Sequence, residues 1–309
     1  MKRLRRKLVC ALLLCLLAPA PAWAENLKVL VVLSDNSAPY QSFVTVLNNS
    51  LPALMRATVL EHPEQFSSAV TQVDLIVAVG MKATQATTVK NRIPVLAAMI
   101  PQAGYEALLV QAATEKILPP MSAIYLDQPW LRQVDFWQAA LPERRRIGLL
   151  HSSDAHIDVA HLRKDIARRG GALIAQSVHS ADELFSRLES VLASSDVLLA
   201  TADSLIYSSS NIRNILLTSY RYRVPLIGLS QAYVNAGALC AVFSTPEQLA
   251  AQASAMVISF ARNRQLPVPQ FPAAYTIAVN QQVARSLGIE LPSPEAIRSQ
   301  MDKAREDRQ

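Results

Sequence analysis

Cysteine is nearly absent. Of the three cysteines, Cys10 and Cys15 stand in the first 24 residues and Cys240 alone follows, so no disulfide can form within residues 25–309 and stability there has to come from packing. Glycine is scarce as well, eight in 309 residues, and none of them form Gly-x-Gly-x-x-Gly, which argues against dinucleotide binding. There is no Gly-x-Ser-x-Gly elbow, no phosphate-binding P-loop, no His-Glu-x-x-His and no Cys-x-x-Cys. His156 and His161 are five apart on an expected helix, hence on different faces. With Asp154 and Asp158 nearby, they read as solvated residues of a strand-to-helix turn and not as a metal site. His151 sits beside Ser152 and Ser153 without an orienting carboxylate, so no nucleophile–base pair is assigned. These absences exclude the common catalytic, metal and cofactor chemistries, and a non-enzymatic binding role is expected.

The N-terminus is rich in what the rest lacks. Lys2, Arg3, Arg5, Arg6 and Lys7 precede an apolar run over 8–17, and Ala22-Trp23-Ala24 places small residues where a signal peptidase reads them. Residues 1–24 are therefore expected to be a secretory signal peptide cleaved before Glu25. The apolar run is shorter than the roughly 20 residues a membrane span needs. Leu14 before Cys15 is not the small residue of a lipobox, so lipidation is not expected. Five of the 30 basic residues fall in this segment, which has no acidic residue, leaving 25 basic against 24 acidic. The net charge of +6 is thus a targeting feature and makes no case for nucleic-acid binding. A soluble periplasmic product is expected.

From residue 28 onward, short apolar runs alternate with helix-like segments. Strands are expected at 28–33, 57–61, 74–79, 94–100, 122–126, 146–150, 172–178, 197–200, 225–229, 238–243 and 275–279. Helices are expected at 40–51, 63–70, 82–90, 130–140, 157–169, 182–192, 210–222, 246–262 and 281–287, with a charged and frayed terminal helix at 295–305. This rhythm predicts an α/β protein with doubly wound, Rossmann-like parallel sheets. A single β/α barrel has a similar number of units. The break over 101–121 and the restart after Pro142 favour two lobes, with the boundary at 127–129. The expected division is 25–127 plus 245–273, then 128–244 plus 274–292, with 293–309 as a tail.

In doubly wound sheets ligands sit beyond the carboxyl ends of the strands. The loops there cover 34–40, 80–84, 100–101, 151–154, 201–207 and 230–233. They supply Ser34, Ser37, Tyr40, Gly80, Met81, Lys82 and Thr84 from the first half, and Ser152, Thr201, Asp203, Tyr207 and Gln231 from the second. Hydroxyls and helix N-terminal amides suit a carboxylate. Asp203 suits an ammonium group, Tyr40 and Tyr207 an apolar or aromatic part, and Gly80 a close approach of backbone to ligand. Each hydroxyl alone reads as a helix or turn cap before it reads as a ligand contact, and only their shared placement at strand ends makes the set a candidate site.

An ordered set of segments completes this reading. It comprises Asp74-Leu75-Ile76-Val77-Ala78-Val79-Gly80 with an Ala/Thr-rich helix, Ile93-Pro94-Val95, Leu141-Pro142 with Arg146-Ile147-Gly148-Leu149-Leu150, Val224-Pro225-Leu226-Ile227-Gly228, Val234-Asn235-Ala236-Gly237-Ala238-Leu239, and Asn280 with Leu287-Gly288-Ile289. Together these resemble the ABC transporter substrate-binding protein family that includes tryptophan/tyrosine-type binding proteins. The resemblance implies a type I periplasmic-binding-protein fold, with two lobes joined by a multi-strand hinge that close on an amino-acid-like small molecule. It implies a monomer that delivers this ligand to an ABC transporter permease in the inner membrane, with no cofactor and no nucleic acid. A sensor or accessory protein of the same fold, signalling to a membrane receptor, is the alternative. The chain departs from the family pattern after Ile100, where Pro101-Gln102-Ala103-Gly104-Tyr105 stands, and at Ser122-Ala123-Ile124-Tyr125.

Overall fold

The computed structural model describes residues 27–308 except 56, 67–71, 89–91, 116–118, 153–154 and 156. The expected signal peptide, residues 67–70 of the helix expected at 63–70, and Ser153, Asp154 and His156 lie outside the described residues.

Strand β1 (Val29–Leu33) reads VLVVL and is buried along its whole length. A β-branched run covered on both faces is what the interior of a parallel sheet requires. It pairs in parallel with β2 (Thr58–Leu60) and β3 (Leu75–Val79); β4 (Val95–Ile100) and β5 (Met121–Tyr125) complete the order β2-β1-β3-β4-β5. The period of two divides β1 between two cores. Val29, Val31 and Leu33 pack with Phe43 and Leu47 of α1 (Ala38–Ser50) and with Leu249 and Val257 of α9 (Pro246–Asn263). Leu30 and Val32 pack on the other face with Ile76, Ala78 and Ala83, the last from α2 (Met81–Thr88).

The second sheet runs β11-β10-β9-β8-β6-β7, built from β6 (Arg146–Ser152), β7 (Ala172–Val178), β8 (Val197–Leu199), β9 (Leu226–Gly228), β10 (Cys240–Phe243) and the antiparallel β11 (Thr276–Val279). Read from β7, its parallel strands repeat the order of the first sheet. Ile147 and Leu149 of β6 face Phe136 and Trp137 of α4 (Trp130–Ala140) and Leu162 and Ile166 of α5 (Val159–Arg168). Leu150 and Leu198 face Leu188 and Val191 of α6 (Leu184–Leu192) and Ile215 of α7 (Ile212–Arg221).

Three segments differ from expectation. The stretch read as a break holds α3 (Gln102–Glu115), a regular crossover from β4 to β5. Its Ala, Leu, Gln and Glu residues favour helix, but apolar residues surround it on every side and leave no periodic stripe to recognise. Residues 230–233, read as loop, begin the short helix α8 (Gln231–Ala236). The terminal helix α11 (Pro294–Glu306) is no frayed tail. Ile297 and Met301 enter the core beside α4, and Arg308 forks onto the Asp135 carboxylate at 2.8 and 2.6 Å.

The chain passes between the sheets at 126–129, 244–245 and 271–275, and the passages are bonded to one another. Gln128 Nε2 donates to Ser244 Oγ (2.9 Å), and the Ser244 hydroxyl donates to the Ala274 carbonyl (2.6 Å). Arg132 Nη1 donates to Gln128 Oε1 (2.6 Å) and to the Pro272 carbonyl (2.9 Å), and Gln133 Nε2 to the Gln128 carbonyl (3.1 Å). Gln128 and Ser244 are each 6% exposed, so these bonds replace water that cannot reach them.

Gly148 lies where α6 comes close to β6. A Cβ there would stand 2.5 Å from Val191 Cγ1 and 2.6 Å from Ser195 Oγ. Gly148→Ala is expected to lower stability by about 1–3 kcal/mol, the usual cost of overpacking, read as a lower urea midpoint with an unchanged slope.

Candidate functional site

The passages leave the first sheet at the carboxyl end of β5 and reach the second at the carboxyl end of β10 and the start of antiparallel β11. The carboxyl ends of both sheets therefore point toward the same hinge. In each sheet the strand order reverses once, between β1 and β3 and between β6 and β8, and a doubly wound sheet opens its crevice there.

At the first switch point Ser34, Tyr40 and Gly80 meet. Ser34 Oγ accepts from the Ala83 amide of α2 at 3.0 Å. Burial, with the Asp35 carboxylate adding to it, raises the Tyr40 hydroxyl above its usual range, and a hydrogen bond with Ser34 works against the rise. Gly80 has φ +86°, and a Cβ there would lie 2.5 Å from both Ser34 Oγ and the Tyr40 hydroxyl. The rim carries charge. A hydrogen bond from the Ser37 side chain does most to hold Asp35 below the usual carboxylate range; burial works against it, and the Ser37 amide (2.9 Å) and the nearby Lys82 cation add to the lowering. Lys82 is exposed. Met81 is half-buried against Gly104 of α3.

At the second switch point Asp203 joins two loops. Its Oδ2 accepts from the Ser152 amide (2.7 Å) and its Oδ1 from the Leu205 amide (3.1 Å). Thr201 Oγ1 reaches the Leu150 carbonyl at 3.5 Å. Gln231 stands exposed on α8 and donates to Asn235 Oδ1 at 2.9 Å.

Two expected contacts are used by the protein itself. Thr84 is fully buried, and its hydroxyl donates to the Gly80 carbonyl one turn back (2.8 Å), a bond β-hydroxyl residues readily make inside helices. Tyr207 packs in the apolar core under α6 and α7 and donates to the Leu199 carbonyl (3.4 Å); burial drives its hydroxyl far above the usual range. Its ring is core rather than a wall of the crevice.

Sequence reasoning passed over a second acidic position. Asp127 Oδ2 accepts from the Gln102 amide at the start of α3 (2.7 Å), and Gln102 Nε2 donates to Glu106 Oε1 (2.7 Å). Burial, then the Glu106 carboxylate, raises the Asp127 carboxyl above its usual range. A cation held beside this pair relieves that repulsion. Tyr105, Tyr125 and Phe271 line the neighbourhood in edge-to-face contacts, with ring centroids 5.9 and 5.3 Å apart. The signal was Asp127-Gln128-Pro129, which sequence pattern marked only as a boundary.

Among the described residues no group of three or more His, Cys, Asp or Glu side chains is arranged to hold a metal ion, and no helix is long and apolar enough to cross a membrane. Two doubly wound lobes with their switch points turned toward shared chain crossings define a type I periplasmic binding protein. The model of the ABC transporter substrate binding protein family matches residues 55–303, and the chain belongs to that family. Solved structures share the fold at low identity. An ABC domain in complex with L-Trp from Streptococcus pneumonia is 18% identical with TM-score 0.62, over 89% of this chain and 98% of that one. A conserved domain protein from Vibrio cholerae gives 18% and 0.63 over 89% and 98%. The ligand-free, open structure of a substrate-binding protein with adhesive properties from Clostridium difficile gives 18% and 0.63 over 87% and 97%. No curated protein matches the chain.

Gly80→Ala is expected to cost about 1–3 kcal/mol, from the positive φ together with overpacking. Combined with Ser34→Ala, which removes one of the two colliding atoms, it should cost less than the sum of the single changes. Thermal denaturation of the four proteins in the double-mutant cycle checks this.

Proposed function

We propose that the chain is a periplasmic solute-binding protein. It is exported by cleavage after Ala24, acts as a monomer, captures a small amino-acid-like molecule between its lobes and delivers it to an ABC transporter permease in the inner membrane. The lobes are assigned as 25–127 with 245–273, and 128–244 with 274 onward. The observation that carries the reading is that both switch points open toward the same crossings, so a single ligand can be bonded from two sides. A ligand that bridges the lobes favours the closed state and shifts the population toward it.

The charged groups divide the work. The first amides of α2, with the Lys82 cation and the Ser34 and Ser37 hydroxyls, suit a carboxylate. Carboxylates suited to an ammonium stand on both lobes, Asp203 with lone pairs beyond the two amides it holds and Asp127 with Glu106. Tyr40 and Met81 supply apolar surface, while Ser152, Thr201 and Gln231 supply hydrogen bonds from the opposite side. The solved relative from Streptococcus pneumonia holds L-Trp, a zwitterion with an apolar part, which supports a ligand of this class.

The test is a thermal-shift panel on residues 25–309 against amino acids and other small solutes. A ligand that binds only the folded state adds about 2.7 kcal/mol at a hundredfold excess over its Kd. A rise in melting temperature confined to amino-acid-like compounds is expected. No rise with any member of a broad panel contradicts solute capture.

A further inference from the structure

Tyr275, in the third passage between the lobes, lies between two guanidinium groups. Arg132 of α4 stands 4.7 Å from the ring centroid and Arg298 of α11 stands 4.4 Å from it. Arg298 also donates from Nη2 to the Tyr275 carbonyl at 2.9 Å, so one side chain fixes both the ring and the backbone of this residue. Arg132 carries the connection onward to the Pro272 carbonyl and to Gln128 Oε1, and Gln128 bonds Ser244. A continuous set of contacts thus runs from the terminal helix to all three crossings. On the other side of the same passage, Gln252 of α9 donates to Gln270 Oε1 (3.0 Å) and to the Phe271 carbonyl (3.2 Å), and accepts from the Ala273 amide (2.9 Å). The passage is thus held over 270–273 by α9 from the first lobe and at Pro272 and Tyr275 by the two arginines from the second, so any turn of one lobe against the other loads these contacts.

We infer that the terminal helix is part of the hinge, and that Arg298 is a positioning residue which, by holding Tyr275 from ring and carbonyl together, sets the resting balance between open and closed lobes. This rests on the two-lobe capture reading for its biological meaning, but not for its measurement. A merely structural role for α11 would work through its other attachments as well. These are Ile297 and Met301 in the core and the fork from Arg308 to Asp135, a carboxylate also held by Arg169 at 2.9 Å.

The experiment measures the interlobe distance distribution of the ligand-free full-length mature chain by pulsed electron paramagnetic resonance. Spin labels go on exposed positions of each lobe, through Thr45→Cys and Arg163→Cys; Cys240 is fully buried and stays unlabelled. Arg298→Ala is expected to change the open-to-closed ratio by about fivefold, the ratio that corresponds to one hydrogen bond of ordinary net strength. Arg298→Lys should recover part of this, since an ammonium keeps the cation over the ring but lacks the planar fork. Arg308→Ala, which loosens the far end of the helix without touching Tyr275, should lower the melting temperature and leave the distribution in place. An unchanged distribution in Arg298→Ala, or an equal change in Arg308→Ala, overturns the inference. Because no ligand enters the measurement, failure of the thermal-shift panel leaves this result readable.

Discussion

A buried amide at the crossing of three chain segments is the interaction on which the architecture depends. Gln128 donates to Ser244, Ser244 donates to the Ala274 carbonyl, and Gln128 itself accepts from Arg132. Each segment belongs to a different passage, and Gln128 and Ser244 are 116 residues apart in sequence. Hydrogen bonds shielded from water are strong when all partners are present and costly when one is missing. The crossings therefore hold one another in one bonded bundle between the two sheets.

Around that bundle the two sheets solve the same packing problem twice. Each central strand divides its side chains between two cores, and each sheet reverses its order once. Five of the eight glycines stand where an added Cβ would come within 3.0 Å of another atom. Gly148 lets α6 settle onto the second sheet, and Gly80 clears room for Ser34 and Tyr40 at the first switch point. Stability without disulfides follows from cores that are almost wholly apolar, with Cys240 among their buried residues. The polar atoms at the two switch points hold one another: Asp203 takes the Ser152 and Leu205 amides and Ser34 the Ala83 amide, which ties the loops they stand in to the neighbouring elements.

Much of this was legible from pattern. Strands such as Val29–Leu33 and Leu75–Val79 are short continuous apolar runs bounded by turn residues, and they are strands in the structure. The type I fold and family followed from an ordered set of weak motifs. Helix α3 was missed because its apolar residues are not confined to one face, so it carries no amphipathic signal. The side-chain direction of Tyr207 and Thr84 was equally hidden. Tyr207 stands in a turn beyond β8 and Thr84 in the first turn of α2; at both, spacing places the backbone but not the hydroxyl, and local packing turns both inward. The hinge bonds were invisible for another reason. Gln128, Ser244 and Ala274 come together only through the topology, and no short-range pattern marks them.

The central claim is that the lobes close on a ligand about these crossings. Small-angle X-ray scattering of the mature chain tests it most directly, with and without the compound that most raises its melting temperature. The account predicts a smaller radius of gyration in the bound protein. Saturating ligand that leaves the scattering profile unchanged would contradict capture by closure.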